Sequence, residues 1–181
     1  MHTIVEDVDS LSPLSILDVG VGFGKWGFLF REALDVKRGR LGREDWDVVI
    51  DGVEVFEQYI QPHQRFLYDT IHVGDICELV STLGTYDLVF MSDVLEHIDK
   101  LDALCLLDEL RDKCRWFALV VPMGDNWYTR NKRDHDNERE MHISMWHPAD
   151  FGSPDVEVSV GAEFGPYTYY RFAGRVDGGR T

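Results

Sequence analysis

The chain has no apolar run long enough for a membrane-spanning helix, which excludes a helical transmembrane anchor within these 181 residues. Its acidic start does not read as a secretory signal, so the expectation is a cytoplasmic protein with no membrane partner. Cysteine is scarce. Cys77, Cys105 and Cys114 are odd in number and lack metal-type spacing, which excludes a disulfide scaffold and a cysteine-zinc module. Cys105 and Cys114 read as reduced core thiols, in keeping with a reducing compartment. Positive charge is also in short supply: 18 Lys and Arg against 33 Asp and Glu give a net charge of −15. Such a chain repels phosphate backbones, so nucleic acid is not an expected partner. The one basic cluster, Lys37, Arg38, Arg40 and Arg43, reads as a solvated insertion rather than a phosphate-binding loop. No internal repeat is visible, and the length suits one domain with a proper core.

Against these absences, residues 16–27 stand out: Ile-Leu-Asp-Val-Gly-Val-Gly-Phe-Gly-Lys-Trp-Gly. Ile16, Leu17 and Val19 form the short apolar run of a buried parallel strand. Gly20, Gly22 and Gly24 let the backbone turn sharply and approach a ligand closely. From Lys25 the pattern is helical, with Trp26, Leu29, Phe30, Ala33 and Leu34 on one broad face. Strand, glycine turn and helix N-terminus together make a nucleotide-binding corner. The spacing decides which kind. A P-loop fails twice, because Val19 replaces its first glycine and Trp26 its Ser or Thr. Gly22, Gly24 and Gly27 match the dinucleotide fingerprint formally, but Gly20 already closes the strand. The remaining pattern is acid-x-Gly-x-Gly-x-Gly, from Asp18 to Gly24. It resembles the first motif of the class I S-adenosylmethionine-dependent methyltransferases.

Three further segments carry the same resemblance, in order, across about residues 14–122. Val48–Val55 reads VVIDGVEV, and Glu54 sits where the family places the acid that grips the ribose hydroxyls. An ionised carboxylate accepts several hydrogen bonds at once, which suits two hydroxyls. Residues 71–76, IHVGDI, resemble the adenine-binding motif, with Asp75 and Ile76 as candidates; Asp75 also reads as the N-cap of a helix over Ile76–Leu83. Residues 86–98, YDLVFMSDVLEHI, resemble the fourth motif of the small-molecule enzymes and bring Ser92 and Asp93 to the cofactor. Trp116–Val121 reads as a fifth strand closed by Pro122. A short helix is expected around Pro148–Phe151, and Val156–Val160 and Tyr167–Ala173 alternate like two strands joined by a turn at Gly165-Pro166. The expected fold is α/β, a single-domain Rossmann-like doubly wound sheet, mostly parallel with an antiparallel last strand. The domain is expected to span residues 1–174, with 175–181 a disordered tail.

The resemblance implies S-adenosylmethionine as cofactor and a small molecule as acceptor. Asp18, Gly20, Gly22 and Gly24 would hold its methionine end, Glu54 the ribose and Asp75 the adenine. The acceptor half is less legible, because methyl transfer from a sulfonium needs alignment more than catalytic groups. Asp93 and His97 fall at the sheet's carboxyl edge. Residues 126–147 carry Trp127, Tyr128, Arg130, His135, His142, Trp146 and His147, a composition suited to a substrate lid. His142 is the preferred acceptor-side base, within a His-x-Ser-x-Trp stretch that some relatives carry. Asp93, Glu96 and His97 are spaced so that a helix would align them as metal ligands, with His142 as a fourth. Spacing alone closes no site, and no metal ligand is assigned from it. Two other classes fit parts of the sequence. One is a nicotinamide-dependent oxidoreductase using Gly22, Gly24, Gly27 and Asp47, which leaves the Asp75 and Asp93 motifs unexplained. The other is a non-catalytic cofactor-binding subunit. Oligomeric state is not legible.

Overall fold

The alternating strand and helix periodicities resolve into one seven-stranded sheet in the order β3-β2-β1-β4-β5-β7-β6. The computed structural model describes residues 1–124, 138–160 and 166–177. The strands are β1 (Ser15–Val19), β2 (Val49–Glu54), β3 (Thr70–Val73), β4 (Tyr86–Ser92), β5 (Cys114–Pro122), β6 (Val156–Val160) and β7 (Tyr167–Ala173). Strands β1 to β5 pair in parallel. β7 runs antiparallel to β5, and β6 antiparallel to β7. The helices are α1 (His2–Leu11), α2 (Lys25–Leu34), α3 (Pro62–Leu67), α4 (Ile76–Leu79) and α5 (Lys100–Arg111). No helix among the described residues is long and apolar enough to cross a membrane.

A parallel sheet covered on both faces buries every side chain of its central strands, and β4 does so from Leu88 to Ser92. Leu88 and Phe90 face one core, with Trp26, Phe30 and Tyr169. Val89 and Met91 face the other, with Leu106, Leu110, Trp146 and Tyr170. The Phe90 ring lies 4.7 Å from Trp26 and 5.0 Å from Phe30, which explains the aromatic stripe on α2 as packing. From β1 the chain moves outward through β2 and β3, then returns to β4 on the other side. This reversal opens a crevice beyond the carboxyl ends of β1 and β4, where such sheets take ligands.

The structure departs from the sequence reading at several points. α1 was not anticipated; its Asp7 accepts from Tyr169 (2.6 Å) and Arg171 (2.8 Å), tying the chain start to β7. The helix expected over residues 76–83 is α-helical only to Leu79 and tightens into a 3₁₀ turn at Val80–Thr82. Cys105 is exposed on α5 rather than in the core, whereas Cys114 is buried. The basic cluster is consumed internally: Lys37 pairs with Glu32, Arg38 with Asp9, Arg40 with Asp35 and Asp47, and Arg43 donates to the carbonyls of Arg65 and Tyr68. Arg175 and Val176, placed in a free tail by composition, are fixed instead. Arg175 ion-pairs with Asp108 and Asp112, and the Val176 amide donates to the Cys114 carbonyl. The turn expected at Gly165-Pro166 begins outside the described residues.

Candidate active site

The floor of the crevice is the glycine loop between β1 and α2. The amides of Gly20 and Val21 both donate to the Val53 carbonyl, at 2.9 and 3.1 Å, pinning the loop to β2. Gly22 is held from two sides: its amide donates to Glu54 Oε2 (2.8 Å), and its carbonyl accepts from the buried Gln64 amide. At Gly20, φ is +86° and a Cβ would stand 2.3 Å from Val94 Cγ2, so neither the backbone nor the space admits a side chain.

Asp18 lies beneath this loop, 1% exposed, and accepts from the Tyr68 hydroxyl, which in turn accepts from the Gly27 amide at 3.0 Å. Its other oxygen, Oδ1, has no hydrogen-bond partner among the described residues. Burial pushes the Asp18 carboxyl up to about 7; the Tyr68 hydrogen bond opposes the rise and the nearby Glu54 charge adds to it. The same burial, with Asp18 beside it, holds the Tyr68 phenol far above its ordinary range.

The loop, the ends of β2 to β4 and the following turns enclose a cavity of about 630 Å³. Gly20, Gly22, Glu54, Asp75, Ile76, Ser92, Asp93 and His97 all line it. Asp18, Gly24 and His142 are not among its lining residues. Glu54 is 6% exposed, and its two oxygens accept the amides of Gly22 and Phe56, each at 2.8 Å. A carboxylate has about four acceptor positions, so two remain for a ligand. Asp75 caps α4 through the Cys77 amide (3.0 Å), and its second oxygen meets Arg139 at 3.1 Å. Asp75 thus caps α4 through one oxygen, while its other oxygen pairs with Arg139 where both residues line the cavity.

The opposite wall grows from the end of β4. Asp93 has φ +58°, a left-handed backbone that costs a non-glycine residue about 1–2 kcal/mol. Its carboxylate accepts from Ser92 Oγ (2.6 Å) and from the Tyr167 phenol on β7. The expected helix over Asp93–His97 is a single 3₁₀ turn, Leu95–His97. Residues 141–146 are strapped onto that turn. The amides of Ile143 and Ser144 donate to the Glu96 carbonyl, Ser144 Oγ donates to the Leu95 carbonyl, and the buried Trp146 indole donates to Ser144 Oγ. The His-x-Ser-x-Trp spacing thus has a structural reason: serine and tryptophan fasten the segment, and His142 lands against the turn. Its ring meets the His97 ring edge to face at 4.9 Å, and its Nε2 lies 3.9 Å from Glu96 Oε1. Glu96 is 2% exposed, and burial together with Asp93 and Glu140 holds its carboxyl well above the usual carboxylate range. The lid candidates Trp127, Tyr128, Arg130 and His135 lie outside the described residues.

No family model matches the sequence, and no curated protein matches it. Solved structures do. Magnesium protoporphyrin IX methyltransferase from Synechocystis PCC 6803, with bound S-adenosylhomocysteine (SAH), is 17% identical at a TM-score of 0.63, covering 96% of this chain and 83% of that one. The N-terminal domain of EvdMO1, in the presence of SAH and D-fucose, is 14% identical at 0.65, covering 96% and 82%. The methyltransferase domain of a bacterial Hen1 is 16% identical at 0.61, covering 95% and 96%. The chain has the class I methyltransferase fold.

Within this fold, sequence reasoning missed several residues that shape the site. Tyr68 holds Asp18 from 50 positions away, and nothing local to either residue signals the pair. Tyr167 reaches Asp93 only because β7 inserts beside β5. Val55, Phe56 and Tyr59 line the cavity beyond Glu54, and the apolar residue directly after that acid was a usable signal. Glu96 was noticed for spacing alone; its burial makes it the least solvated acid of that wall.

Proposed function

We propose that the chain is an S-adenosylmethionine-dependent methyltransferase with a small-molecule acceptor. The observation that carries this is a single cavity whose one wall holds the Gly20–Gly22 loop, Glu54, Asp75 and Ile76, and whose other wall holds Asp93 and His97. The residues fit the cofactor. Gly20 and Gly22 bring bare backbone to the cavity, Glu54 keeps acceptor capacity for two ribose hydroxyls, and Asp75 has a carboxylate oxygen paired with an exposed arginine, Arg139. When bound, S-adenosylmethionine supplies an already activated methyl group. The protein's part is to align the acceptor, exclude water and receive a proton where the acceptor carries one. Asp93 and His97 face the cavity for that purpose, and His142 braces His97 from outside it. A small acceptor is favoured by the cavity's size, by the net charge of −15, and by a basic cluster already paired to the protein's own acids and carbonyls. The oxidoreductase reading loses its ribose acid, because Asp47 precedes β2, pairs with Arg40 and is not among the lining residues.

The test is transfer of labelled methyl from S-adenosylmethionine across panels of hydroxyl, amine and carboxylate small molecules. Incorporation into any of them, with SAH released in equal amount, supports the reading. Tight SAH binding with no transfer to any panel member would instead favour the non-catalytic subunit.

A further inference from the structure

We propose that the methyl acceptor is an amine that enters the cavity as an ammonium on an apolar body and is held by Asp93 and Glu140. The inference rests on the methyltransferase reading and supplies its substrate class. Among the described residues, six carboxylates line the cavity against one lysine and one arginine. Glu54 and Asp75 belong to the cofactor half, which leaves Asp93, Asp99, Asp102 and Glu140. The two basic groups are engaged in the cofactor half. Arg139 meets Asp75 at 3.1 Å, and Lys25 lies 4.5 Å from the Trp26 ring and acts on the Asp18 charge. Among the described residues, no ion pair joins the other four acids to a Lys or Arg. S-adenosylmethionine brings a single net positive charge, so the lining stays negative with the cofactor in place. Such a cavity repels an anionic acceptor, and a neutral hydroxyl leaves its acids uncompensated.

Glu96 is an independent sign of a positive ligand. It is 2% exposed, and its Oε2 has no hydrogen-bond partner among the described residues. The charges that act on it most are those of Asp93 and Glu140. A buried carboxyl set against two like charges is costly until a positive group lowers the local potential. Asp93 is also held ready. Its carboxylate accepts from Ser92 Oγ and the Tyr167 phenol, which leaves about two of its four acceptor positions. A fixed carboxylate with spare acceptor positions suits the N–H donors of an ammonium. The lining also leaves apolar surface bare: Phe23 is 81% exposed and Ile143 52%. An apolar body attached to the amine covers that surface.

An ammonium has no lone pair, so it must lose a proton before it attacks. His97 lines the cavity, and its Nδ1 lies 3.1 Å from the Met141 carbonyl. That contact places the imidazole proton on Nδ1 and leaves Nε2 to accept one. The ammonium proton passes to Nε2 and from there to solvent. The nitrogen lone pair then forms the new N–C bond while the S–C bond breaks and its electrons return to sulfur. The products are a neutral thioether and a methylated ammonium. Positive charge therefore reappears on nitrogen beside Asp93 and Glu140, which stabilise it as it develops.

The probes are three molecules of similar shape and different charge: phenethylamine, phenethyl alcohol and hydrocinnamate. Each is titrated calorimetrically into the full chain saturated with SAH. The amine should bind saturably and about tenfold or more tightly than the alcohol, the scale of one hydrogen bond to a charged group. Hydrocinnamate should give no saturable heat. Asp93→Asn and Glu140→Gln should each reduce the amine's advantage by about tenfold. Glu157→Gln removes the same unit of charge from exposed β6, outside the cavity, and should leave that advantage unchanged. Both site variants keep the side-chain shape, and asparagine tolerates the left-handed backbone at position 93, so an unchanged ligand-free Tm certifies their fold. No saturable amine binding up to millimolar concentration overturns the proposal. So does an alcohol bound as tightly as the amine, or an amine preference unaltered in both site variants. Transfer of labelled methyl to hydroxyls or carboxylates but not to amines overturns it as well. SAH binding, measured first, separates the failures. SAH binding without an amine preference removes the amine and leaves the methyltransferase reading; no SAH binding removes that reading and the acceptor with it.

Discussion

Asp18→Asn should stabilise the protein at neutral and alkaline pH, although Asp18 belongs to the most recognisable motif in the chain. The carboxyl is wholly buried under the glycine loop and its pKa is pushed up to about 7 from 3.8. The folded state therefore holds a proton that the unfolded chain releases. The stabilising contribution is complete below pH 3.8 and is lost as pH rises through 7. Roughly three pH units at 1.36 kcal/mol each give ~4 kcal/mol in full, of which about 2–3 kcal/mol disappears between pH 5 and pH 8. Asparagine stays neutral throughout and still offers an oxygen to the Tyr68 hydroxyl. The assay is urea unfolding of both proteins at pH 5, 6, 7 and 8. The variant's advantage should grow by about 2–3 kcal/mol across that range and level off above pH 7. Carboxylates that do not act on Asp18 cancel between the two proteins. A pH-independent difference, or a variant less stable at pH 8, would refute the reasoning.

Two more outcomes follow from the same loop. Glu54→Ala should weaken SAH binding by about 1.5–3 kcal/mol in calorimetry, the scale of hydrogen bonds to a charged group. Because Glu54 also accepts the Gly22 and Phe56 amides, the ligand-free protein should lose about 1 kcal/mol as well, read from urea melts. Unaltered SAH affinity would remove Glu54 from the site. Gly27→Ala places a Cβ 2.4 Å from Tyr68 Cζ and should cost about 1–3 kcal/mol of stability; a neutral result would mean that the Asp18–Tyr68–Gly27 packing is looser than described.

The sheet was legible because its signals are local. β6 and β7 fall where period-two alternation put them, and the glycine spacing from Gly20 to Gly24 fixed the corner between β1 and α2. Asp75 was legible as a cap for the same reason. What stayed hidden depends on contacts between distant segments. Tyr68 under Asp18, Tyr167 beside Asp93 and the 141–146 strap on Leu95–His97 are set by strand order and loop docking, which leave no periodic trace. Exposure hid likewise: Cys105, between two leucines, faces solvent, whereas Cys114, between Lys113 and Arg115, faces the core. α1 was missed because only Ile4 and Val8 of its ten residues are buried, too weak a stripe to stand out.

The central claim is that the cavity at the ends of β1, β2 and β4 is a site for S-adenosylmethionine. Calorimetric titration of the full chain with SAH and, separately, with NAD tests it most directly. SAH should bind one to one and NAD should give no saturable heat. Saturable NAD binding with none for SAH would contradict the account.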